Sequence, residues 1–254
     1  MRYFMELAYN GANYCGWQRQ PSSPSVQETL ETAFATILRT PGFEITGCGR
    51  TDTGVHASQY FAHFIFREDF PRNFLSRVNK FLPKDIVIRR ILPMRADQHA
   101  RFDAFYRAYA YHLTWAKDPF RQKTVTHFAR VQQFNQTLMQ EAAHLLLDFD
   151  HFLPFCKTGS DAKTMHCEMH RSEWEFRPTE WVYHVAANRF LRGMVRLIVG
   201  MCLSVGEGKL KLIEVRRALE KQERLPRSLS APPEGLFLAE IRYPYPLESP
   251  NAHQ

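Results

Sequence analysis

Long apolar runs are missing from this sequence. The most apolar segment, Met194 to Val205, is shorter than the ~20 residues of a membrane span and carries Arg196. That argues against a membrane protein. Cysteine is scarce and unpatterned: Cys15, Cys48, Cys156, Cys167 and Cys202 form an odd, scattered set. No disulfide framework is expected, which fits a reducing compartment. Met1 to Gly11 shows no basic region followed by an apolar stretch, so no secretion signal is expected and the expected location is the cytoplasm. Neither a Walker loop nor a dinucleotide-binding fingerprint occurs. No internal sequence repeat is visible.

What is present is ordinary globular material. Hydrophobic residues make up 44% of the 254 and charged residues 23%, enough to build a real core. Lys and Arg outnumber Asp and Glu by 33 to 26, a net charge of +7. Such an excess is compatible with a polyanionic partner without requiring one. Aromatics are plentiful at 13%. Interleaved cations and aromatics suit RNA, whose phosphates attract charge and whose splayed bases stack on flat faces. Most of the rings are nonetheless expected to fill a core.

Patterning gives an element order. Arg2 to Tyr9 alternates and ends at Asn10-Gly11, a strand closed by a turn. Ser25 and Glu28 form a capping box, and Val26, Leu30, Phe34 and Ile37 follow at helical spacing. Phe43 to Gly49 and Gln59 to Phe66 read as strands. Phe74, Val78 and Phe81 mark a helix, and Asp85 to Leu92 a further strand. The second half repeats this order. A strand runs from Phe105 to Trp115, and a helix begins near Asn135. Ser172 to Phe176 and Trp181 to Ala187 form a hairpin. A helix carries Phe190, Met194, Leu197, Ile198 and Met201 and stops at Gly206. A short helix follows over Leu212 to Leu219, and a strand over Leu236 to Tyr243. The predicted fold class is α+β, with two tandem split βαβ lobes. One spans residues 1–100, the other 101–254, joined near residues 95 to 104. Their strands are expected to form one mostly antiparallel sheet, with helices on one face and a central cleft.

Between two predicted strands lies Gly47-Cys48-Gly49-Arg50-Thr51-Asp52-Thr53-Gly54-Val55-His56-Ala57. Its glycines permit unusual dihedrals and close approach to a ligand. Its hydroxyls can lock the loop through backbone hydrogen bonds. One carboxylate, Asp52, sits inside this frame. By residue type alone, a tight turn capped by Asp52 with Arg50 in solvent accounts for the pattern as well.

The stretch Gly49 to Ala57 resembles the signature of the tRNA pseudouridine synthase A family, with Thr53 where the family usually has Ala. The resemblance continues in order along the chain. Tyr9-Asn10-Gly11, Gly16-Trp17-Gln18 and Val26-Gln27 are similar to its opening. His99-Ala100-Arg101-Phe102 and Arg107-Ala108-Tyr109 are similar to its centre. Ala187 to Arg196 resembles its late helix, and Ser230 to Leu236 its closing motif. Departures are Gln98, where Phe is common, Asp103, in place of a small residue, and Gly193, in place of a frequent His.

The resemblance implies an isomerase that needs no cofactor or metal. It would break the N-glycosidic bond of a uridine in the anticodon stem-loop of tRNA, at positions 38, 39 and 40, turn the base and rejoin it through carbon. Asp52 would be the nucleophile. A cation beside it would keep the carboxylate ionised, and Arg196 is the expected partner, because an arginine in the most apolar helix needs one. A solvated arginine is the plainer alternative. Tyr109 would stack on the flipped uracil and serve proton transfer, whereas Tyr111 is expected in the core. Arg50 would help hold the base out of its stack. His99, Arg101 and Phe102, Arg107, Lys157 and Lys163, and Arg192 are the expected RNA contacts. Leu236 is a candidate pocket lining or a core residue. Arg72, Arg77 and Lys80 read as the wet face of a helix. A homodimer is implied as well, because the family's tRNA lies across both subunits.

Two competing readings come from other classes. A non-catalytic RNA-binding protein of the same fold would not need Asp52, Tyr109 and Arg196 together. A zinc-dependent base deaminase would need motifs that are absent here. The Cys156, His166, Cys167, His170 cluster has a spacing that fits no common zinc pattern, so no metal is expected.

Overall fold

The computed structural model describes residues 1–159, 163–227 and 229–247. It is a mixed α+β protein with mostly antiparallel strands and five α-helices among the described residues. Two compact units account for the chain. One is Met1–Phe105 together with the segment from Leu238 onward, and the other is Tyr106–Phe237.

The first unit contains β1 (Arg2–Tyr9), α1 (Val26–Leu38), β2 (Thr46–Gly47), β3 (His56–Ile65), α2 (Phe74–Phe81) and β4 (Ile86–Met94). Strand β1 lies between β3 and β4 and runs antiparallel to both. Its centre is covered on both faces, since Phe4, Met5 and Leu7 expose nothing. The buried acid in this strand, Glu6, accepts from Arg90 Nε at 2.5 Å and from Gln59 Nε2 at 3.0 Å. An acid buried there without a cation would be costly. One half of the capping box predicted at α1 forms, with Ser25 Oγ accepting from the Glu28 N–H at 3.2 Å. Below it, the Phe34 ring meets Phe43, Phe64 and Phe74 at centroid distances of 5.2, 5.1 and 5.3 Å.

One expectation fails in this unit. The strand predicted over Phe43 to Gly49 shrinks to Thr46 and Gly47. The reason lies in α1. The Ile45 N–H donates to Glu31 Oε1 at 3.1 Å, and its carbonyl accepts from Gln27 Nε2 at 2.9 Å. Helix side chains satisfy the Ile45 backbone in place of a neighbouring strand. Phe74, Val78 and Phe81 do mark a helix, α2, as their spacing predicts. Phe81 is the last residue of α2 and stays half exposed, while Phe74 and Val78 are buried.

The second unit contains β5 (Tyr106–Thr114), β6 (Thr126–His127), α3 (Gln136–His144), β7 (Met169–Phe176), β8 (Trp181–Ala187), α4 (Met194–Gly206) and α5 (Leu212–Lys221). Strand β8 pairs antiparallel with β5 on one side and β7 on the other. The closing strand β9 (Leu236–Arg242) has its first two residues in this unit and the rest in the first, where it lies beside β3. Asn135 caps α3, its Oδ1 accepting from Leu138 N at 3.0 Å. Two residues of β6 pair with β5 in parallel. So short a strand has no period to read in a sequence. The late helix begins at Met194 and not at Phe190, because Gly193 takes a left-handed φ of +70°. From Leu197 to Gly206 every residue of α4 is buried, as an all-round apolar helix requires.

Removing the ring at the centre of the first unit tests this packing. Phe34→Ala is expected to cost ~3–5 kcal/mol. Phe81→Ala should stay within ~0.5 kcal/mol, as exposed positions do. Urea unfolding of both variants compares them, and equal losses would mean that α1 is not seated as described.

Candidate active site

The Asp52 loop is shaped by what lies beneath it. Asp52 is partly buried, between buried Thr51 and exposed Thr53. The Val55 N–H donates to the Asp52 carbonyl at 3.1 Å, which closes a tight turn over Thr53-Gly54. Gly54 has φ +77°, a value that suits glycine at the third position of such a turn. Arg50 is exposed.

Four hydrogen bonds pin this stretch to the end of β1 and the segment that follows it, and a fifth ties it to β3. Tyr9 Oη and Thr51 Oγ1 share a buried hydrogen bond of 2.9 Å. The Trp17 N–H donates to the Thr51 carbonyl at 3.3 Å, and the Gly54 N–H to the Tyr14 carbonyl at 3.2 Å. The Gly11 N–H donates to His56 Nδ1 at 3.0 Å. Tyr60 Oη donates to the Gly49 carbonyl at 2.5 Å, and the Trp17 ring stacks on Tyr60 at 4.1 Å. Two glycines make room for this. A Cβ on Gly11 would lie 1.9 Å from the Val55 carbonyl oxygen, and one on Gly16 2.3 Å from that of Thr51. Sequence reasoning had these residues only as a family-like opening. The one signal in them was a pair of glycines, each with an aromatic within two residues.

A second group of expected contacts gathers in the turn from Gln98 to Asp103. His99 Nδ1 accepts from the N–H groups of Arg101 and Phe102 at 3.1 and 3.3 Å. Arg101 lies over the Phe102 ring at 5.7 Å, and that ring is 76% exposed. The two departures from the family pattern hold this turn. Gln98 Oε1 accepts from Arg95 N at 2.8 Å. Asp103 Oδ2 accepts from His99 N at 2.7 Å and from Tyr245 Oη at 2.9 Å. Beneath lies His63, whose Nδ1 accepts from Ala100 N at 3.3 Å. Burial, then the neighbouring His99 and Arg2, push the His63 imidazole down to about 4.

In the second unit, Tyr109 stands half-buried on β5, its ring edge-on to Phe190 at 5.2 Å. Tyr111 is fully buried and hydrogen-bonds Thr126 Oγ1 at 2.7 Å, a core residue as expected. Arg107 donates to the Asn188 carbonyl at 2.7 Å. The Arg107–Tyr109 stretch and the Asn188–Phe190 stretch therefore meet. Arg196 is partly buried on the first turns of α4, and its Nε donates to the Ala231 carbonyl at 2.6 Å. The Ala231 N–H returns a bond to the Arg196 carbonyl at 3.0 Å. The Ser230–Leu236 motif is thus tied to α4 at Arg196. Gly200 adds to this, because a Cβ there would lie 1.8 Å from the Leu229 carbonyl oxygen. Leu236 is buried.

Lys157 and Arg192 are brought together at the start of α4. The Lys157 N–H donates to the Arg192 carbonyl at 3.1 Å, and the Arg192 guanidinium to the Gly159 carbonyl at 3.3 Å. The Lys157 stem lies where a Cβ on Gly193 would be, at 2.8 Å. Lys163 is exposed, while residues 160–162 of the same segment lie outside the described residues. The Cys/His cluster does not converge. Cys156 and Cys167 are buried, and burial pushes the Cys167 thiol up to about 11. His166 is exposed beside Asp150, and His170 stacks on Tyr106 at 5.6 Å. No group of three or more potential metal ligands occurs among the described residues.

Two outcomes are expected from this geometry. Gly16→Ala combines a backbone clash with a φ of +91°, so it should cost ~2 kcal/mol or more. Tyr9→Phe, losing one hydrogen bond, should cost about 1 kcal/mol. Chemical denaturation ranks them, and a tolerated Gly16→Ala would remove the brace. The second concerns pH. The folded state binds fewer protons at His63 than the unfolded chain between the ordinary value of 6.5 and about 4. Its contribution to stability is therefore complete above 6.5 and is lost as pH falls toward 4. Melting temperatures of wild type and His63→Gln, measured from about pH 7 to about pH 4.5, should converge as the pH drops. A constant gap would clear His63 of the effect.

Comparison with known proteins places the chain. A family model described as tRNA pseudouridine synthase matches residues 143–244. The tRNA pseudouridine synthase A of Porphyromonas gingivalis is 44% identical over 248 residues, 96% of this chain and 97% of that protein. The protein of the same name from Parabacteroides distasonis is 41% identical over 252 residues, 97% of this chain and 99% of its own length. That of Picosynechococcus is 36% identical over 255 residues, covering 98% of this chain and 92% of the relative. Identity this high across nearly the whole of each chain shows that the chain belongs to the tRNA pseudouridine synthase A family.

Proposed function

We propose that this protein converts uridine to pseudouridine in tRNA, with Asp52 as the nucleophile. The observation that carries the reading is the Asp52 turn, a partly buried carboxylate on a loop fixed to its own unit through Thr51, Gly54 and His56. A nucleophile that must meet one carbon of a flipped nucleotide benefits from such preorganisation. Family membership supplies the reaction. It is an isomerisation, so no atom is gained or lost overall. The bond from ribose to the base nitrogen breaks, the base turns, and a bond from ribose to a base carbon replaces it. The proton on that carbon leaves, and the nitrogen regains one.

Each residue then has a part. The Asp52 carboxylate offers its electron pair to the electron-poor carbon. The Arg196 guanidinium compensates the negative charge, and its bond to Ala231 fixes where it can point. Tyr109 stacks against the base and lends its hydroxyl to proton transfer. Phe190, edge-on to the Tyr109 ring, limits how that ring can tilt. Arg50 helps to keep the base extrahelical. Arg101 with Phe102, Arg107, Lys157, Lys163 and Arg192 meet the RNA backbone, where phosphate contacts set position. The substrate uridines are those of the anticodon stem-loop, and the working form is a cytoplasmic homodimer. No helix among the described residues is long and apolar enough to cross a membrane.

Asp52→Asn keeps the size of the side chain and removes its charge. It should abolish pseudouridine formation on unmodified tRNA transcripts, a loss of at least ~10³-fold, while tRNA affinity stays within about three-fold of wild type. Positional mapping of pseudouridine and filter binding give the two readouts. Product from the Asn variant at the wild-type rate would remove Asp52 from the chemistry. Pseudouridine at sites outside the anticodon stem-loop would correct the substrate assignment.

A further inference from the structure

The loop between β5 and β6 carries the most exposed large apolar side chain among the described residues, and the residues singled out so far do not use it. Phe120 is 97% exposed. Single apolar residues on a surface are common and mean little alone. Here the backbone around the ring is locked. Asp118 Oδ1 accepts from the Phe120 N–H at 2.9 Å. The Arg121 N–H donates to the Asp118 carbonyl at 3.2 Å, and the Thr124 N–H to that of Arg121 at 2.8 Å. Pro119 stands at the second position of the Asp118–Arg121 turn, where its fixed φ fits. The Arg121 guanidinium ties the turn to β8 by donating to Glu180 Oε2 at 2.6 Å, next to Trp181. The ring is thus presented by a stiff turn and covered by nothing in its own unit.

Its neighbours indicate what covers it. Lys117 and Lys123 flank the turn, both exposed, and neither makes a salt bridge among the described residues. The local acid, Asp118, spends its carboxylate on the backbone of the same turn. A protein partner is disfavoured by this setting, since lysine is depleted where protein interfaces are most buried. An exposed flat ring on a short loop that also carries two exposed lysines suits a nucleic acid, in which a base stacks and adjacent phosphates take the cations. From Tyr109 to Thr114 the β5 strand covers about 17 Å at ~3.3 Å per residue. An RNA with helical arms that engages Tyr109 extends well beyond that.

We infer that Lys117, Phe120 and Lys123 form an accessory RNA-binding site, in which Phe120 stacks on an unpaired base or terminal base pair of the tRNA and the two lysines hold its backbone. This rests on tRNA being the substrate. Phe120→Ala should raise the Kd for a tRNA transcript roughly five-fold or more, and Phe120→Trp should restore it. The melting temperature should not move, because the ring touches nothing in the fold. Lys117→Ala combined with Lys123→Ala should lower the slope of log Kd against log salt by about 0.7 to 0.9 per lysine. Sedimentation of Phe120→Ala follows its self-association. An unchanged Kd, or loss of self-association in place of RNA affinity, would overturn the site and assign the ring to a second copy of the chain. Pseudouridine mapping with the wild-type protein separates the two levels. Weakened binding by Phe120→Ala with no pseudouridine from wild type would uphold the accessory site and sink the proposed reaction.

Discussion

The Asp52 turn depends on the segment from Tyr9 to Trp17 lying flush against it. That segment is held from two sides. The Val26 and Gln27 N–H groups at the start of α1 donate to the carbonyls of Gly16 and Trp17. Those N–H groups have no partner inside the helix and would otherwise need water or a cap. On its other side, the Trp17 N–H and the Tyr9 hydroxyl reach Thr51. The first helix, the Tyr9–Trp17 segment and the Asp52 turn thus form one hydrogen-bonded stack. Glycine at 11 and 16 is the condition for it, because a methyl group at either place would enter a backbone carbonyl of the turn. A carboxylate carried on such a support has little freedom to wander, and preorganisation of that kind lowers the cost of reaching a strained transition state.

The second unit uses the same logic with different parts. Helix α4 is almost wholly buried, yet it carries Arg196 on its early turns. Reciprocal bonds between Arg196 and Ala231 fasten the closing motif to the helix. Gly200 lets the backbone at Leu229 come into direct contact one turn later. Gly193 does a separate job. Its left-handed backbone starts the helix and leaves room for the Lys157 stem. A histidine at that position, frequent in the family, would carry a Cβ into the space that Lys157 now fills. Departures from the family pattern at Gln98 and Asp103 have the same character, since both side chains bond to the turn that presents Arg101 and Phe102. Such contacts are local, and they fix the backbone of that turn.

Much of the fold was legible beforehand, for particular reasons. Ser25 with Glu28 announced α1, and Asn135 announced α3, because a capping side chain acts on residues three positions away. Strand β8 was read to the residue, as a run between turn signals. The reading failed where a backbone found its partner far along the chain. Ile45 is satisfied by Glu31 and Gln27, so no strand forms around it. The start of α4 depends on a dihedral at Gly193 that the apolar period cannot reveal. The stack under Asp52 joins residues more than forty positions apart, as Tyr9 and Thr51 are, and no periodicity carries that information.

By itself, the sequence determined the α+β class, the helix starts, the apolar faces and the motif string that marks a pseudouridine synthase. Those properties are local, or are recorded as consecutive residues, so they survive without coordinates. Only the tertiary structure decided which glycines must stay glycine, why Tyr9 and Trp17 belong to the same device as Asp52, and that Phe120 stands clear of the fold on a braced turn. Each of these is a question of what lies within a few ångströms in space, and chain neighbours do not answer it. Close packing makes such positions unforgiving, which is why a single Cβ at residue 11 or 16 is enough to disturb a loop that begins over thirty residues later.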